Sequence, residues 1–327
     1  MILPVRLRRL KPDPYIVAIL LMVVLATVLP VRGVAAEGFA WLTKAAIALL
    51  FFLHGARLSR EAVIGGLTHW RLHLLVLAAT FALFPVLGLA LRALPPAILP
   101  ASLTTGVVFL CCLPSTVQSS IAFTAVARGN VAAAVCAASA SNLLGIVVTP
   151  LLVAATLGIR GHGDALGAVE AVALQLFLPF AAGQISRPWL RDGIARHGKL
   201  VSLTDRGSIL LVVYGAFSAA VVGGLWQKVS GPQLLTLTIV CIALLAVVLA
   251  ATALAARSLG FATPDEIAIV FCGSKKSLAS GVPMAGILFP APMVGLLVLP
   301  LMIFHQLQLM ACAVIAARWA ARVQTET

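Results

Sequence analysis

Long apolar runs, separated by short stretches rich in charge, proline or glycine, dominate the pattern of the chain. The runs are continuous rather than alternating, which is typical of helices and excludes a transmembrane barrel. Because a bilayer core about 30 Å thick needs about 20 apolar residues per helix, the pattern predicts ten membrane spans. They lie at residues 16–31, 40–55, 74–91, 101–127, 131–157, 165–185, 208–225, 234–256, 266–288 and 293–317.

Composition supports the same class of protein. Hydrophobic residues make up 61% of the 327 positions and charged residues only 10%, whereas soluble domains have about 45–50% apolar and about 25% charged residues. We therefore expect an all-α polytopic membrane protein. The cysteines lie inside apolar runs without a metal-ligand spacing, so we expect them to be buried and unpaired. They are Cys111, Cys112, Cys136, Cys241, Cys272 and Cys312.

The basic residues predict the orientation of the spans. If the N-terminus lies inside, the inner loops and tails carry sixteen of the 23 Lys and Arg residues, the outer loops carry five, and two fall inside the ninth span. Cytoplasmic loops of membrane proteins are enriched in Lys and Arg. We therefore expect a multi-pass protein of the inner (cell) membrane with both termini in the cytoplasm. The outer basic residues are Arg32, Lys44, Arg92, Arg160 and Lys228.

A basic segment after Gly183 divides the spans into five plus five. Two homologous halves with an odd number of spans must lie in opposite orientations, which is the inverted-repeat plan of secondary transporters. We expect a second repeat that begins at helix 6, near residue 165. The predicted units are a first five-helix repeat at residues 1–183, a basic cytoplasmic linker loop at residues 184–206 and the rest of the second repeat at residues 207–327.

The N-terminus leaves one alternative open. Its basic tail and first apolar run are compatible with a secretory signal cleaved near residues 34–36. We favour a first membrane span, because cleavage would remove one of the ten spans and leave the two sets of five unequal.

Spans four and nine are interrupted near their middle by proline or glycine and by polar residues. Proline removes a helical hydrogen bond and glycine relaxes the backbone, so we expect broken helices near residues 113–120 and 271–284. Interrupted segments at corresponding positions of two halves indicate a transport site. The alternative is a pair of kinked helices whose hydroxyls bond to their own carbonyls. The candidate binding residues in these segments are Thr116, Gln118, Ser119, Ser120, Ser274 and Ser277.

Two lysines in the ninth span are the strongest candidates. Lys275 lies about 15 Å along a helix from Asp265, near the bilayer midplane, where a charged side chain is expected to face a polar cavity. Every acidic residue lies at a span end or in a loop, so a bound anion is one partner for Lys275 and Lys276. The alternatives are that carbonyls, Ser and Gln satisfy both lysines, or that one lysine is neutral.

Other polar residues within spans are weaker candidates. His305 is the one group at this depth that would titrate near neutral pH in an ordinary environment, although a lone histidine is more often a packing residue. The segment 132–142 is rich in small residues, which indicates close helix packing, and Ser139, Ser141 and Asn142 are candidates to reach the broken helix. The remaining weak candidates are Gln306, Gln175 and His54.

Residues 271–284 resemble the signature of the SBF-like branch of the bile acid:sodium symporter family, within the bile acid/arsenite/riboflavin transporter superfamily. Residues 52–59, 118–120 and 127–130 resemble the same branch. The resemblance covers essentially the whole chain. It implies two inverted repeats of five helices, a panel domain and a core domain, and crossing broken helices four and nine. It also implies sodium-driven symport of organic anions such as bile acids and other sterol or carboxylate compounds.

The match to the sodium ligands of this family is uneven. Ser119 and Ser120 match a Ser-Asn pair that supplies sodium ligands, which makes them the candidate metal ligands. A glutamate and a Gln-Asn pair of the sodium symporters are matched here by Phe271 and by Lys275 and Lys276. Because the deep carboxylate is absent and an ammonium repels Na⁺, sodium coupling is in doubt, and no other cofactor is expected. Our hypothesis is that a lysine ammonium takes the electrostatic role of the cation, with proton coupling through these lysines or the histidine of the last span.

These features predict a symporter-like secondary active transporter that moves an organic anion, for example a bile-acid-like or carboxylate solute, by alternating access. The alternatives are a channel or a non-transporting sensor that retains the fold, and a proton-coupled carrier. An enzyme is not expected, because no deep Asp pair, H-E-x-x-H motif, Ser/His/Asp set or nucleotide-binding loop is visible. The expected partners are the solute and membrane lipid, without nucleic acid or an obligate protein partner.

Overall fold

The computed structural model describes residues 14–57, 69–158 and 173–325, and all regular secondary structure in these ranges is helical. The helices are α1 (Pro14–Val28), α2 (Val34–Arg57), α3 (Trp70–Arg92), α4 (Ala101–Cys112), α5 (Val117–Val126), α6 (Val131–Leu157), α7 (Leu178–Arg196), α8 (Gly198–Val222), α9 (Gly231–Ser258), α10 (Thr263–Gly273), α11 (Leu278–Leu288) and α12 (Ala291–Thr325). A wider π-helical turn, Ala79–Leu83, interrupts α3, a second one, Ala173–Phe177, precedes α7, and a short turn, Leu225–Lys228, leads into α9.

Helix length and hydropathy confirm a polytopic membrane protein. In the described ranges six helices are long and apolar enough to cross a bilayer, namely α2, α3, α6, α8, α9 and α12, and the pair α4 and α5, bent by 65°, makes a seventh span. The apolar part of α1, Val17–Val28, is shorter. The described part of each predicted span is mainly helical, apart from the breaks at residues 113–116 and 274–277 and a few residues at span ends, while residues 165–172 lie outside the described ranges. The count of ten and the inverted repeats stay predictions.

The packing of the helices places α10 at the centre of the protein. It contacts α3, α5, α6 and α9, while α12 contacts α4, α5, α8, α9 and α11. Both α10, from Glu266 to Gly273, and the second half of α4, from Gly106 to Cys112, are buried. The broken helices are therefore enclosed by their neighbours.

A second group of helices, α1, α2, α7 and α8, packs beside this centre. Glycines allow α2 and α7 to approach closely, because a Cβ at Gly55 would overlap the Phe180 carbonyl and one at Gly183 would overlap the Phe52 carbonyl. Close backbone approach at small residues is the usual way in which membrane helices associate.

Two predictions about local structure have different outcomes. All six cysteines are buried and unpaired, as expected. The predicted linker loop at residues 184–206 is wrong in its local structure, because α7 continues to Arg196 and α8 begins at Gly198, with only His197 between them. Charged side chains are tolerated on the exposed turns of a helix, so their appearance does not mark its end. The division of the chain into two repeats around this segment stays a prediction.

Candidate functional site

Two helix breaks meet in the middle of the protein and form the crossover, which comprises residues 113–116 and 274–277. The first break separates α4 from α5, and the second separates α10 from α11. Pro114 lacks the N–H that would continue α4, and Leu113 is already extended, with ψ at 155°. The Ser277 N–H donates to the Pro114 carbonyl at 2.9 Å, so the two breaks are in direct backbone contact.

A hydroxyl-bearing residue precedes the second half of each broken helix. Thr116 precedes α5 and Ser277 precedes α11, both with extended backbone. Ser277 Oγ accepts a hydrogen bond from the Ser280 N–H at 3.2 Å, which is an ordinary N-cap. Thr116 Oγ1 instead donates to the Lys276 carbonyl at 2.9 Å. One break is thus capped locally, whereas the other is tied to its partner.

Hydroxyl groups of the first broken helix hold the end of α10. Ser115 Oγ donates to the Cys272 carbonyl at 2.5 Å, and Ser120 Oγ donates to the Phe271 carbonyl at 3.0 Å. Carbonyls in the last turn of a helix lack partners within that helix. The end of α10 is therefore satisfied by neutral donors from the other broken helix.

A charged donor, Lys276, holds the end of α4. Its Nζ donates to the carbonyls of Cys111 at 2.9 Å and Leu113 at 2.6 Å. It also donates to the Thr80 carbonyl in α3 at 2.9 Å and lies 4.0 Å from the centroid of the Phe84 ring. The side chain is 0% exposed, and each of its three ammonium protons has a carbonyl acceptor. A cation at this position also complements the partial negative charge at a helix C-terminus.

The Thr80 carbonyl is free to accept this bond because α3 widens into a π-helical turn. In that turn the Phe84 N–H bonds to the Ala79 carbonyl, one residue earlier than in a regular α-helix. The following residue, Pro85, has no N–H. The helix therefore presents a backbone oxygen to Lys276 that its own donors do not use.

The backbone of Lys276 is held by α12. Gln308 Oε1 accepts from the Lys276 N–H at 2.9 Å, and Gln308 Nε2 donates to the Lys276 carbonyl at 3.0 Å. One turn earlier, His305 Nδ1 lies 2.8 Å from Gln308 Nε2 and 3.4 Å from the Lys276 carbonyl. The last helix thus fixes the residue from which the ammonium group extends, and it brings the predicted histidine to the crossover.

Lys275 has a different environment from its neighbour. Its Nζ donates to the Ser119 carbonyl at 2.9 Å and lies 4.0 Å and 5.2 Å from the ring centroids of Phe123 and Phe271. The rings provide cation–π contacts, but among the described residues a single carbonyl accepts from this ammonium. Within the part of the chain that the structure describes, neither lysine forms an ion pair with a carboxylate.

Of the α6 candidates, Ser141 reaches the crossover and Asn142 reaches the first turn of α11. Ser141 Oγ accepts from the Ser115 N–H at 3.0 Å. Asn142 Oδ1 accepts from the hydroxyl of Ser280 at 2.7 Å. The small-residue helix therefore contributes hydrogen bonds as well as close packing.

Three other predicted residues do not join the two broken helices. Gln118 is exposed and Ser139 is half-buried, and neither bonds to the crossover within the described ranges. Ser274 Oγ donates to the Val270 carbonyl of its own helix at 2.6 Å, as the kinked-helix alternative supposed. Helical phase separates Ser139 from Ser141, because residues two apart lie about 200° apart around a helix.

The predicted sodium ligands, Ser119 and Ser120, do not form an oxygen shell suited to Na⁺. The Ser120 hydroxyl donates within the crossover, and the Ser119 carbonyl accepts from Lys275. Ser119 Oγ is buried without a hydrogen-bond partner among the described residues. On α10 the carboxylate nearest to the break, Glu266, pairs with Arg257 at 2.8 Å. The Ser119 carbonyl already accepts from an ammonium group and the Ser120 hydroxyl already donates to a carbonyl, so these residues do not fit a sodium ion.

A cavity of about 570 Å³ lies between the α1–α2 turn and helices α2, α8, α11 and α12. Most of its lining is apolar, and its polar edge includes Arg32, Lys44 and Gln175, the last of which was a weak candidate in the sequence. The described lining contains no acidic residue. Because Val282 lines the cavity and belongs to α11, one helix connects the cavity with the crossover.

Sequence reasoning missed several groups that hold the crossover together. Gln308 follows His305 by one helical turn, so the spacing of two polar residues on one face could have indicated it. Pro85, inside an otherwise regular span, could have indicated a freed carbonyl in α3. Nothing in an apolar run distinguishes a ring that will contact an ammonium. The missed groups are Thr80, Phe84, Ser115 and Gln308.

Comparison with known proteins gives matches along nearly the whole chain. The model of the SBF-like CPA transporter family matches residues 13–321. The uncharacterized protein PA2026 of Pseudomonas aeruginosa is 57% identical over 96% of this chain and 95% of its own length. The Escherichia coli K12 protein named "Putative symporter YfeH" is 54% identical over 96% of this chain and 94% of its own. "Sodium/bile acid cotransporter 7" of Danio rerio is 28% identical over 94% and 93%. The family resemblance seen in the sequence is confirmed.

Proposed function

Because the chain belongs to the SBF-like CPA transporter family, we propose that it is a secondary active transporter that moves an organic anion across the cell membrane by alternating access. The family and the symporter name of the Escherichia coli relative are those of transporters rather than enzymes. The observation that carries the proposal is the cavity beside the crossover, which combines an apolar wall with two cationic side chains.

The chemistry of the cavity favours an amphipathic anion. Its volume of about 570 Å³ is within the range of about 300–1,000 Å³ that is usual for small-molecule sites. The apolar wall favours burial of a hydrocarbon body, and the exposed Arg32 and Lys44 attract an anionic head group. Lys44 Nζ lies 4.8 Å from the centroid of the Trp41 ring, which holds this charge at the cavity edge. A bile-acid-like or carboxylate solute has this combination of properties.

The geometry of the two breaks supports alternating access by two related halves. When Thr116 is aligned with Ser277, Ser115 corresponds to Lys276 and the break lengths are equal. Under the same alignment Cys111 corresponds to Cys272. Ser115 donates to the carbonyl of Cys272, and Lys276 donates to that of Cys111. Reciprocal contacts are expected of oppositely oriented repeats, so this pattern supports ten spans in two inverted five-helix repeats.

We propose that α1, α2, α7 and α8 form a panel and that the helices around the breaks form a core. The cavity lies between the two groups, so movement of one against the other would open and close it. With both termini in the cytoplasm of the cell, Arg32 and Lys44 lie on the outer side, as the positive-inside rule suggests. The cavity would then open toward the outside.

Binding and uptake by the purified protein test this function. Bile salts, sulfated sterols and short carboxylates are screened for thermal stabilisation in detergent, and uptake of the best ligand is followed in proteoliposomes. We expect a ligand that raises the melting temperature and shows saturable uptake. Arg32→Gln and Lys44→Gln should each weaken its binding by about 5-fold, the equivalent of about 1 kcal/mol. Lys199→Gln, which removes an exposed cation outside the cavity lining, is the matched control.

Each alternative has a distinct outcome in the same experiment. Stabilisation by a ligand without uptake would favour a sensor, and conductance without saturation would favour a channel. Uptake that follows a pH gradient would favour a proton-coupled carrier. Equal affinities in all three variants would contradict the assignment of the cavity as the anion site.

A further inference from the structure

Resting on the proposed transport function, we propose that Lys276 is a tethered cation. Its ammonium group occupies the position that a coupling ion takes between broken helices of secondary transporters, so the crossover is complete without bound sodium. Lys276 is thus a positioning residue that holds two helix breaks together.

The acceptors of Lys276 are the kind of oxygens that bind a transported cation. Unwound carbonyls and the C-terminal ends of half-helices coordinate Na⁺ or H⁺ in secondary transporters. Here the carbonyls of Cys111 and Leu113 belong to the end of α4, and the Thr80 carbonyl belongs to the widened turn of α3. The ammonium therefore joins a broken helix to a neighbouring helix, as a metal ion would.

The charge of Lys276 is compensated entirely by groups of the chain. The side chain is fully buried, and burial of a charge is favourable only when its hydrogen bonds are satisfied. Three carbonyls and the face of the Phe84 ring provide that compensation. No carboxylate pairs with Lys276 among the described residues, so the site has the electrostatics of a cation bound by neutral oxygens.

The two breaks differ in one respect that assigns this role to Lys276. At the end of α10 the corresponding contact is made by the neutral hydroxyl of Ser115, so of the two helix ends at the breaks the end of α4 is the one held by a cation. Within the described ranges Lys275 makes one carbonyl contact, with Ser119, whereas the Lys276 ammonium has three carbonyl acceptors. A tethered group cannot dissociate into either compartment, and it therefore cannot couple a sodium gradient to transport.

Thermal unfolding of the purified full chain in detergent tests the inference without any solute. Melting temperatures are measured in NaCl, KCl, methylammonium chloride and choline chloride at equal ionic strength. We expect the wild-type protein to have the same melting temperature in all four salts. Lys276→Ala should melt about 5–10 °C lower in choline chloride. The variant should regain about half of this loss in melting temperature in one of the other three salts, because a cation smaller than choline can then reach the exposed carbonyls.

Lys275→Ala is the matched control, because it removes one carbonyl contact and leaves the three acceptors of Lys276 paired. Its melting temperature should not depend on the cation. A wild-type melting temperature that rises selectively with Na⁺ would overturn the inference. So would a Lys276→Ala protein that responds to cations no more than Lys275→Ala does.

If Lys276→Ala does not fold, Lys276→Arg and Lys276→Met replace it. Retention of the charge predicts that the arginine variant melts about 5 °C or more above the methionine variant, and equal values contradict the inference. Because no solute enters these measurements, they can fail while the transport proposal stands. Conversely, a protein that shows no measurable uptake can still give the expected melting temperatures.

Discussion

The crossover and the cavity each contain two cationic side chains, but they use them in opposite ways. At the crossover Lys275 and Lys276 are buried and donate to backbone carbonyls. At the cavity Arg32 and Lys44 are exposed, and the described lining contains no carboxylate. A charge that is satisfied by its own chain fixes one arrangement of helices, whereas an exposed charge stays available to a ligand. The comparison separates a structural use of charge from a binding use within one protein.

The two regions also differ in their free volume. A Cβ at Gly145 would lie 2.6 Å from Cβ of Pro114, and one at Gly281 would overlap Leu113. By contrast, a Cβ at Gly286, which lines the cavity, would have no atom within 4 Å. Substitutions at the crossover should therefore affect folding, whereas those at the cavity should affect binding first.

Filling the space beside Pro114 should give the largest effect. Gly145→Ala is expected to lower the free energy of unfolding by about 3 kcal/mol, because the new methyl group overlaps the proline ring in the first break. Gly286→Ala is the matched control and should change it by less than about 1 kcal/mol. Unfolding by SDS in mixed micelles measures both variants. Similar losses at the two positions would contradict the difference in packing.

Gln308 clamps the backbone of Lys276 through two hydrogen bonds. Removal of this clamp should cause a smaller loss of unfolding free energy. Gln308→Ala is expected to cost about 2 kcal/mol, because the buried Lys276 N–H is left without its acceptor. On the same helix, Gln306 Oε1 is buried without a partner among the described residues, and Gln306→Ala should cost less than about 1 kcal/mol. The same SDS titration compares them. A larger loss for Gln306→Ala would show that the clamp does not stabilise the crossover.

Ser115, whose neutral hydroxyl makes the contact that corresponds to that of the Lys276 ammonium, provides the next test. Ser115→Ala should cost about 1 kcal/mol, because the Cys272 carbonyl loses a neutral donor rather than a charged one. Thr105→Ala is the control, since among the described residues its hydroxyl bonds within its own helix, to the Ala101 carbonyl. The melting temperature of Ser115→Ala should not depend on the cation in solution. A cation dependence equal to that of Lys276→Ala would remove the distinction between the two breaks.

Much of the crossover could be predicted from the sequence, because its determinants are local. Pro114 interrupts a span by its own chemistry, and two lysines at the middle of an apolar run must have polar partners. The class of partner could not be chosen in advance, since the carbonyl acceptors become available only through the geometry of α3 and α4. Gln308 was missed because its contact joins residues far apart in the chain.

The sequence was least informative where helices continue past their apolar segments. The residues around His197 have the charge of a loop, but α7 and α8 extend through them. Charged residues are compatible both with a loop and with an exposed helical turn. Hydropathy alone therefore indicates where the membrane-spanning part ends, but not where the helix ends. The cavity was equally hidden, because Arg32 and Gln175 meet only through tertiary packing.

The smallest predicted effect concerns Pro85, which leaves the Thr80 carbonyl available to Lys276. Pro85→Ala supplies an N–H that can bond to this carbonyl along α3. In the wild-type background the carbonyl already has a partner, so the new donor gains little. In a Lys276→Met background the same donor satisfies a carbonyl that has lost its partner. A double-mutant cycle of unfolding free energies should therefore give a coupling of about 0.5–1 kcal/mol.

Pro150, the proline inside α6, provides the control for this cycle, because no bond connects it with the crossover lysine among the described residues. Pro150→Ala should have the same effect with and without Lys276→Met. If Pro85→Ala also behaves identically in both backgrounds, then the widened turn alone opens the Thr80 carbonyl. In that case α3 would present its oxygen to any cation at the crossover, and the missing N–H of proline would have no part in selecting an ammonium.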